Sequence, residues 1–335
     1  MTATRAGGTP VITQNGNRWV GAGHNSVFQD AGGEWYTAYH AVDRDDPYFA
    51  NATGYTKRPM LIDRLTWDEG WPEVRHGLGP SDSPELAPLA QAPRANSSTQ
   101  RNIYEAYLDA LDPNAYLVAL DKVNVANLTA APGASDDFSG AALDPKWSWV
   151  RPPAAGNAAL ENGVFRMNTE AADLYGGSNN ASVLLEAPSG NWLVEAKVDL
   201  DVPDEGCCFN FVQAGLVVYA NDDAYVKLTQ TSIWETRQVD FSKEIPVPRP
   251  GYPRNGTSVG APPARVTWLR IAKVVVSGEE QYISWSSIDG VTFRRGAVWS
   301  HALGPNARIG LVAFGGAGFT ARFDSVRAWT LPSRR

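Results

Sequence analysis

Through most of its second half, this chain alternates apolar and polar residues one by one. The runs "NWLVEAKVDLDV", "FVQAGLVVYA", "AYVKLTQTSIWE", "ARVTWLRIAKVVV", "EQYISWSSIDG", "ARIGLVAFGG" and "ARFDSVRAWTL" all carry the pattern. A period of two sends successive side chains to opposite faces of a strand, which a helix of period 3.6 cannot reproduce. Asp222-Asp223 and Asp289-Gly290 sit between runs as hairpin tips, and "GGAG" at 315–318 reads as a turn rather than a phosphate cradle. Strands of this length on short turns pack as an antiparallel β-sandwich, the expectation for residues 136–332. The 31 glycines and 23 prolines agree, since they punctuate strands and break helices.

The first region carries four more strand patterns: "HNSVFQD", "EWYTAYHAV", "RPMLIDRLTW" and "WPEVR", with Gly32-Gly33 as a hairpin turn. Four antiparallel strands in roughly 40–60 residues have the size of one propeller blade. Residues 1–81 are therefore expected to form a single-blade sheet. Residues 82–135 are rich in Pro, Ala and Ser and read as a linker. Within them "NIYEAYLDALDPNAYLVAL" allows one or two helical turns before Pro113. A lone blade cannot bury both sheet faces by itself. It is expected to pack on the sandwich or the linker, or to leave an apolar patch that drives self-association.

A net charge of −7 argues against nucleic-acid and anionic-membrane surfaces, because both recruit basic patches. No run approaches ~18 consecutive apolar residues, so no membrane-spanning segment is expected. The start, "MTATRAGGTPVITQNG", lacks the apolar core of a signal peptide. The two cysteines, Cys207 and Cys208, are adjacent. They read as two small half-buried strand residues, the alternative being a strained disulfide ring. Sequons at Asn51, Asn96, Asn127, Asn180 and Asn255 hint at a secreted parent.

The stretch "GHNSVFQDAGGEWYTAYHAVD", followed by "RPMLIDRLTWDEGWPEV" and "GLGPS", resembles the closing blade of glycoside hydrolase family 43. "DDFSGAALDPKWSWVR", "QAGLVVYANDDAYVKL" and "FDSVRAWTL" are similar to the concanavalin-like sandwich often attached to these enzymes. The resemblance implies an all-β chain: a partial propeller sheet, a linker and a concanavalin-like jelly roll. It also implies an inverting O-glycosyl hydrolase acting on arabinan or arabinoxylan of plant cell walls, with arabinan slightly preferred. The parent would work outside the cell. The family draws its catalytic Asp, Asp and Glu from its first three blades, and residues 1–29 contain no carboxylate. The chain is thus expected to be the C-terminal portion of such an enzyme and inactive by itself. The sandwich would serve either as a carbohydrate-binding module or as a structural buttress.

The resemblance points to His24, the histidine of G-H-N, as a metal residue beside a calcium ion, with no cofactor required. The rival reading is a strand-end histidine bonded to backbone. Among the twelve tryptophans, eight fall in the sandwich. Trp147, Trp149, Trp234 and Tyr225 are the candidate sugar platforms, although tryptophans at strand phase more often serve as core. Asp43, Asp45 and Asp46 read as a solvated loop, and Asp63 as a structural carboxylate bonded to nearby backbone. Asp137 and Asp324 come from strands near the two ends of the sandwich and could share a calcium, which would need further oxygens. His40, His76 and His301 show no metal spacing.

Overall fold

The structure, a computed structural model, describes residues 10–68, 70–91, 97–175, 178–186, 190–203, 208–234, 236–245, 255–259 and 264–332. Contacts divide the chain into a unit of Val11–Val123 and a larger one built on Asn124–Arg335.

In the first unit, strands β1 (Trp19–Gln29), β2 (Trp35–Asp43), β3 (Met60–Asp68) and β4 (Trp71–Val74) lie in that order in one antiparallel sheet. These are the four strands read from the alternation. The β1–β2 turn closes on Asp30, whose Oδ1 accepts the N–H groups of Gly32 (2.8 Å) and Glu34 (3.0 Å). Gly33 there has φ +87°, a conformation that costs glycine nothing. One sheet face buries Trp19, Tyr39 and Ala41 against Ile12, Ala22 and Leu61.

The same unit contains helices α1 (Ser97–Leu111) and α2 (Ala115–Asp121). At 15 residues, α1 makes about four turns, more than the sequence suggested. The difference has an electrostatic cause. Arg101, Glu105 and Asp109 recur every four residues and share one helix face. From it Glu105 and Asp109 meet Arg64 of β3 at 2.9 and 2.8 Å, and Arg101 donates to the Tyr36 hydroxyl. Tyr36 and Arg64 are cross-strand partners, so the helix is clamped to that end of the sheet by ions. Hydrophobic periodicity registers none of this.

The Pro-rich stretch after β4 is fastened down as well. Leu89 N–H donates to Asp30 Oδ2 (2.9 Å), Ser81 N–H to Asp63 Oδ2 (3.1 Å), and Glu85 meets Arg75 at 2.7 Å. Arg75 is wholly buried, with Asp112 at 2.5 Å as its second carboxylate. The blade thus packs on residues that the sequence assigned to a linker.

The second unit is a two-sheet sandwich. Its strands are β5 (Ser148–Trp149), β6 (Ala158–Glu161), β7 (Val164–Asn168), β8 (Val183–Glu186), β9 (Trp192–Leu200), β10 (Gln213–Asn221), β11 (Ala224–Ile233), β12 (Thr236–Glu244) and β13 (Asn255–Val259). Then follow β14 (Val266–Val276), β15 (Glu279–Ser287), β16 (Arg294–Ser300), β17 (Arg308–Phe314) and β18 (Thr320–Thr330). One sheet runs β16-β15-β14-β9-β18-β7-β6, with Thr129–Ala130 added beside β18; the other runs β13-β12-β11-β10-β17-β8-β5. The chain is all-β in its main architecture, as read from sequence.

The core lies where the alternation places it. Val194, Ala196 and Val198 of β9, with Leu269, Ile271 and Phe323, face Leu216, Val218, Val226, Leu228 and Leu311 from the opposite sheet. Each such large side chain contributes roughly 1.5–3 kcal/mol on burial. A second cluster covers the outer face of β10, β11 and β17, where Leu174 and Ala181 pack on Val217, Tyr219, Tyr225, Val312 and Phe314. Consequently β10 and β11 are buried on both faces. Lys227 sits in that layer in register with Val217 and Ser242, its Nζ 4.9 Å from the Phe314 ring. Cys208 lies exposed in a turn and is disulfide-bonded, so the reading of a half-buried thiol on a strand fails there. Cys207 lies outside the described residues.

Candidate functional site

His24 lies exposed on β1 with φ +54°. Its Nδ1 is 3.2 Å from His40 Nε2, and His40 Nδ1 is 3.3 Å from Arg58 Nη1. A guanidinium can only donate, which assigns the tautomers. His40 Nδ1 accepts from Arg58, His40 Nε2–H donates to His24 Nδ1, and His24 is left with an outward Nε2–H. This set does not fit calcium, which takes about six to eight oxygens. Two imidazole nitrogens and a guanidinium supply none. Among the described residues no cluster of three His, Cys, Asp or Glu side chains could hold a metal.

The second calcium arrangement fits no better. Asp137 accepts from the Ser139 N–H (3.1 Å) and hydroxyl (2.7 Å), while Asp324 pairs with the Lys197 ammonium. A lysine thus stands where the cation would have to approach. Three carboxylates of the first unit are also engaged. Asp43 accepts from Asp45 N–H, Asp46 takes Lys57 at 2.7 Å, and buried Asp63 accepts from Tyr39 OH and Ser81 N–H. Asp63 is therefore the backbone-bonded structural group expected of it.

The four candidate aromatics separate by exposure. Trp147 is 6% exposed, with Nε1 donating to Asp136 Oδ2 at 2.8 Å. Tyr225 is 1% exposed, and its hydroxyl lies 2.6 Å from Leu174 O and 2.9 Å from Glu244 Oε2. Burial and Glu244 push that phenol far above its ordinary range. Neither ring offers a face to a sugar, so the platform reading does not fit them: Trp147 packs into the core between the sheets, and Tyr225 lies in the layer that Leu174 and Ala181 cover. Trp149 is half-buried, its ring 6.4 Å from Phe165.

Trp234 differs from all three. Ile233 pairs with Thr236, which makes Trp234 the first residue of a two-residue hairpin loop. That position demands positive φ and favours Asn or Gly. Trp234 has φ +53° and remains 66% exposed, at a cost of about 1–3 kcal/mol in strain. Its N–H is held by Asn210 Oδ1. The neighbouring Phe211, whose N–H donates to Ser232 O at 2.7 Å, also has positive φ (+68°) and is 59% exposed. Gly315 explains how that backbone fits, since a Cβ there would lie 1.8 Å from Phe211 O. Two strained aromatics are thus displayed at one end of the sheet. Phe211 was not found in the sequence because only strand pairing reveals its place beside Trp234.

Of the remaining histidines, His301 is structural. His301 Nε2 donates to Glu244 O (2.7 Å), and burial pushes its pKa down to about 4. His76 lies in a turn after β4.

The sequence profile of glycosyl hydrolases family 43 matches residues 3–72, and that of the beta xylosidase C-terminal concanavalin A-like domain matches residues 135–324. No curated protein matches the chain. Among solved structures it is similar to the family 43 protein BlXynB from Bacillus licheniformis, at 19% identity and a TM-score of 0.47, covering 96% of this chain and 56% of that one. It is likewise similar to xylan beta-1,4-xylosidase from Bacillus halodurans C-125, at 18% identity and a TM-score of 0.46, with the same shares, 96% and 56%. A bifunctional family 43 protein from Bacteroides eggerthii aligns at 15% identity and a TM-score of 0.49, over 96% of this chain and 35% of that one. The chain spans little more than half the length of the first two.

Proposed function

The chain belongs to glycoside hydrolase family 43 through its beta xylosidase C-terminal concanavalin A-like domain, which covers more than half of it, and from that premise we propose that it serves the hydrolysis of arabinose- and xylose-containing polysaccharide. In this reading the chemistry belongs to the carboxylates of a complete family propeller, and the chain by itself is inactive. Inverting hydrolysis needs an acid and a base facing each other at ~6.5–9.5 Å across a sugar pocket. Asp43, Asp46 and Asp63 are instead committed to Asp45 N–H, Lys57 and Tyr39.

The sandwich contributes sugar binding. The observation that carries this is Trp234, the one exposed ring of the four named, displayed beside the likewise exposed Phe211. The substrate is cell-wall arabinan or arabinoxylan, which puts the working protein outside the cell. The disulfide at Cys208 supports that compartment, because disulfides persist in oxidising surroundings. The blade also self-associates through β3, where Met60 (70% exposed) and Ile62 (38%) lie bare on one sheet face.

The test has two arms on the purified chain. Aryl pentosides and arabinan should remain intact, while calorimetry with arabinoxylan oligosaccharides should show heat that Trp234→Ala removes. Turnover abolished by a single substitution within the chain would overturn the inactive reading. Absence of heat would leave the sandwich as a buttress.

A further inference from the structure

The first unit encloses an open cavity of about 690 Å³ between the sheet and helices α1 and α2. Two indoles form part of its wall: Trp35 and Trp67 meet edge to face at 6.2 Å, yet remain 37% and 51% exposed. Rings so placed keep apolar faces toward solvent that the sheet's own packing leaves uncovered.

The charged groups of the wall are Arg64 and the carboxylates of Glu34, Glu105 and Asp109. Arg64 holds Glu105 and Asp109 at 2.9 and 2.8 Å, and Arg101, outside the lining, places its Nε 3.1 Å from Glu105. Carboxylates outnumber cations, so the cavity disfavours an anion. It still presents fixed donors and acceptors. Asp109 Oδ1 is buried in the wall with no hydrogen-bond partner among the described residues, an acceptor left wanting a donor.

The backbone at the rim is strained. Arg75, His76 and Gly77 have φ of +52°, +53° and +84°, three consecutive left-handed residues of which only glycine adopts the region freely. Thr66 Oγ1 accepts the His76 N–H at 2.8 Å and holds the turn so that His76 lines the cavity. Strain maintained at a cavity wall is characteristic of functional positions.

We propose that this cavity is a binding site for a neutral monosaccharide, which stacks its C–H face on Trp67 and exchanges hydroxyl hydrogen bonds with the Arg64–Asp109 pair and Asn102. A ring with one apolar face and a hydroxyl edge matches a wall that sets indoles beside the paired Arg64, Glu105 and Asp109. An anionic ligand would meet the surplus carboxylate, and a purely apolar one would strand the polar groups. The site lies wholly within Val11–Val123. The proposal goes beyond the sandwich reading and does not rest on it.

The full chain should be titrated with D-xylose and with L-arabinose, following tryptophan fluorescence and calorimetric heat. One of the two is expected to bind saturably, with a dissociation constant on the order of millimolar. Trp67→Ala should weaken it by roughly tenfold, with Trp67→Phe restoring most of the loss. Asn102→Ala, an exposed change that cannot unfold the unit, should weaken it several-fold. Trp234→Ala should leave monosaccharide binding unchanged while abolishing oligosaccharide heat, which separates the two sites. No saturable binding of either sugar, or undiminished binding in both Trp67→Ala and Asn102→Ala, would overturn the proposal.

Discussion

Replacing Lys227 with methionine should make the sandwich more stable at neutral pH. The ammonium lies 5% exposed on the outer face of β11, over Phe314, and burial pushes its pKa down from 10.5 to about 8. Asp173, Asp240 and Glu244 oppose that shift without cancelling it. A depression of about 2.5 pKa units corresponds to about 3 kcal/mol at 1.36 kcal/mol per unit. The folded state releases its proton first, so the unfolded chain holds more protons between pH 8 and 10.5, and stability rises with pH across that window. Below pH 8 the penalty is present in full. Lys227→Met fills the same slot with an unbranched apolar chain and removes the penalty. The carboxylate attractions are already contained in that figure, so a net gain of about 3 kcal/mol is expected at pH 7, shrinking toward zero near pH 10. Urea unfolding of wild type and variant at pH 7 and pH 9.5, monitored on the sandwich transition, measures both numbers. A variant less stable than wild type at pH 7, with wild-type stability flat from pH 8 to 10, would show that the ammonium is well solvated or paired and refute the reasoning.

Two groups in the sandwich should oppose each other in acid. Asp240, raised to about 6 by burial, adds stability that is complete below pH 3.8 and lost as pH climbs through 6, whereas His301, lowered to about 4, costs stability in acid and releases that cost between pH 4 and 6.5. Asp240→Asn should therefore expose a rise in stability from pH 4 to 6 that wild type lacks, visible in chemical denaturation across that range. Arg75→Met leaves Asp63, Glu85 and Asp112 without their buried cation, and a loss of about 3–5 kcal/mol is expected in urea unfolding of the first unit; a loss under about 1 kcal/mol would mean that the carboxylates are readily protonated or hydrated. Trp234→Gly should relieve the positive φ and gain about 1 kcal/mol while arabinoxylan binding disappears. Ile62→Lys should shift the chain toward monomer in sedimentation velocity, and an unchanged distribution would place any association elsewhere.

Local chemistry made much of the fold legible. The four blade strands, the sandwich strands and the Asp222-Asp223 hairpin follow from period-two alternation and turn residues, because a half-buried strand imposes that period on its side chains. The helix α1 was underestimated for a complementary reason. Its anchors are charges every four residues, and their partner Arg64 is 41 residues from Glu105. The site residues divided in the same way. Trp147, Trp149, Trp234 and Tyr225 look alike as aromatic letters, and only packing separates them: Trp147 joins the core between the sheets, Tyr225 lies in the layer with Leu174 and Ala181, and Trp234 stays exposed in a turn.

What the sequence determined by itself was the kind of backbone and the family, since both reside in local periodicity and in motifs of contiguous residues. Only the tertiary structure decided which polar groups are sealed from water, which aromatic faces stay bare, and where a cavity opens. Lys227 shows why: its isolated side chain prefers solvent, yet two flanking strands, Phe314 and the surrounding layer remove it from water. Burial is a sum over distant parts of the chain, and no window of the sequence contains that sum.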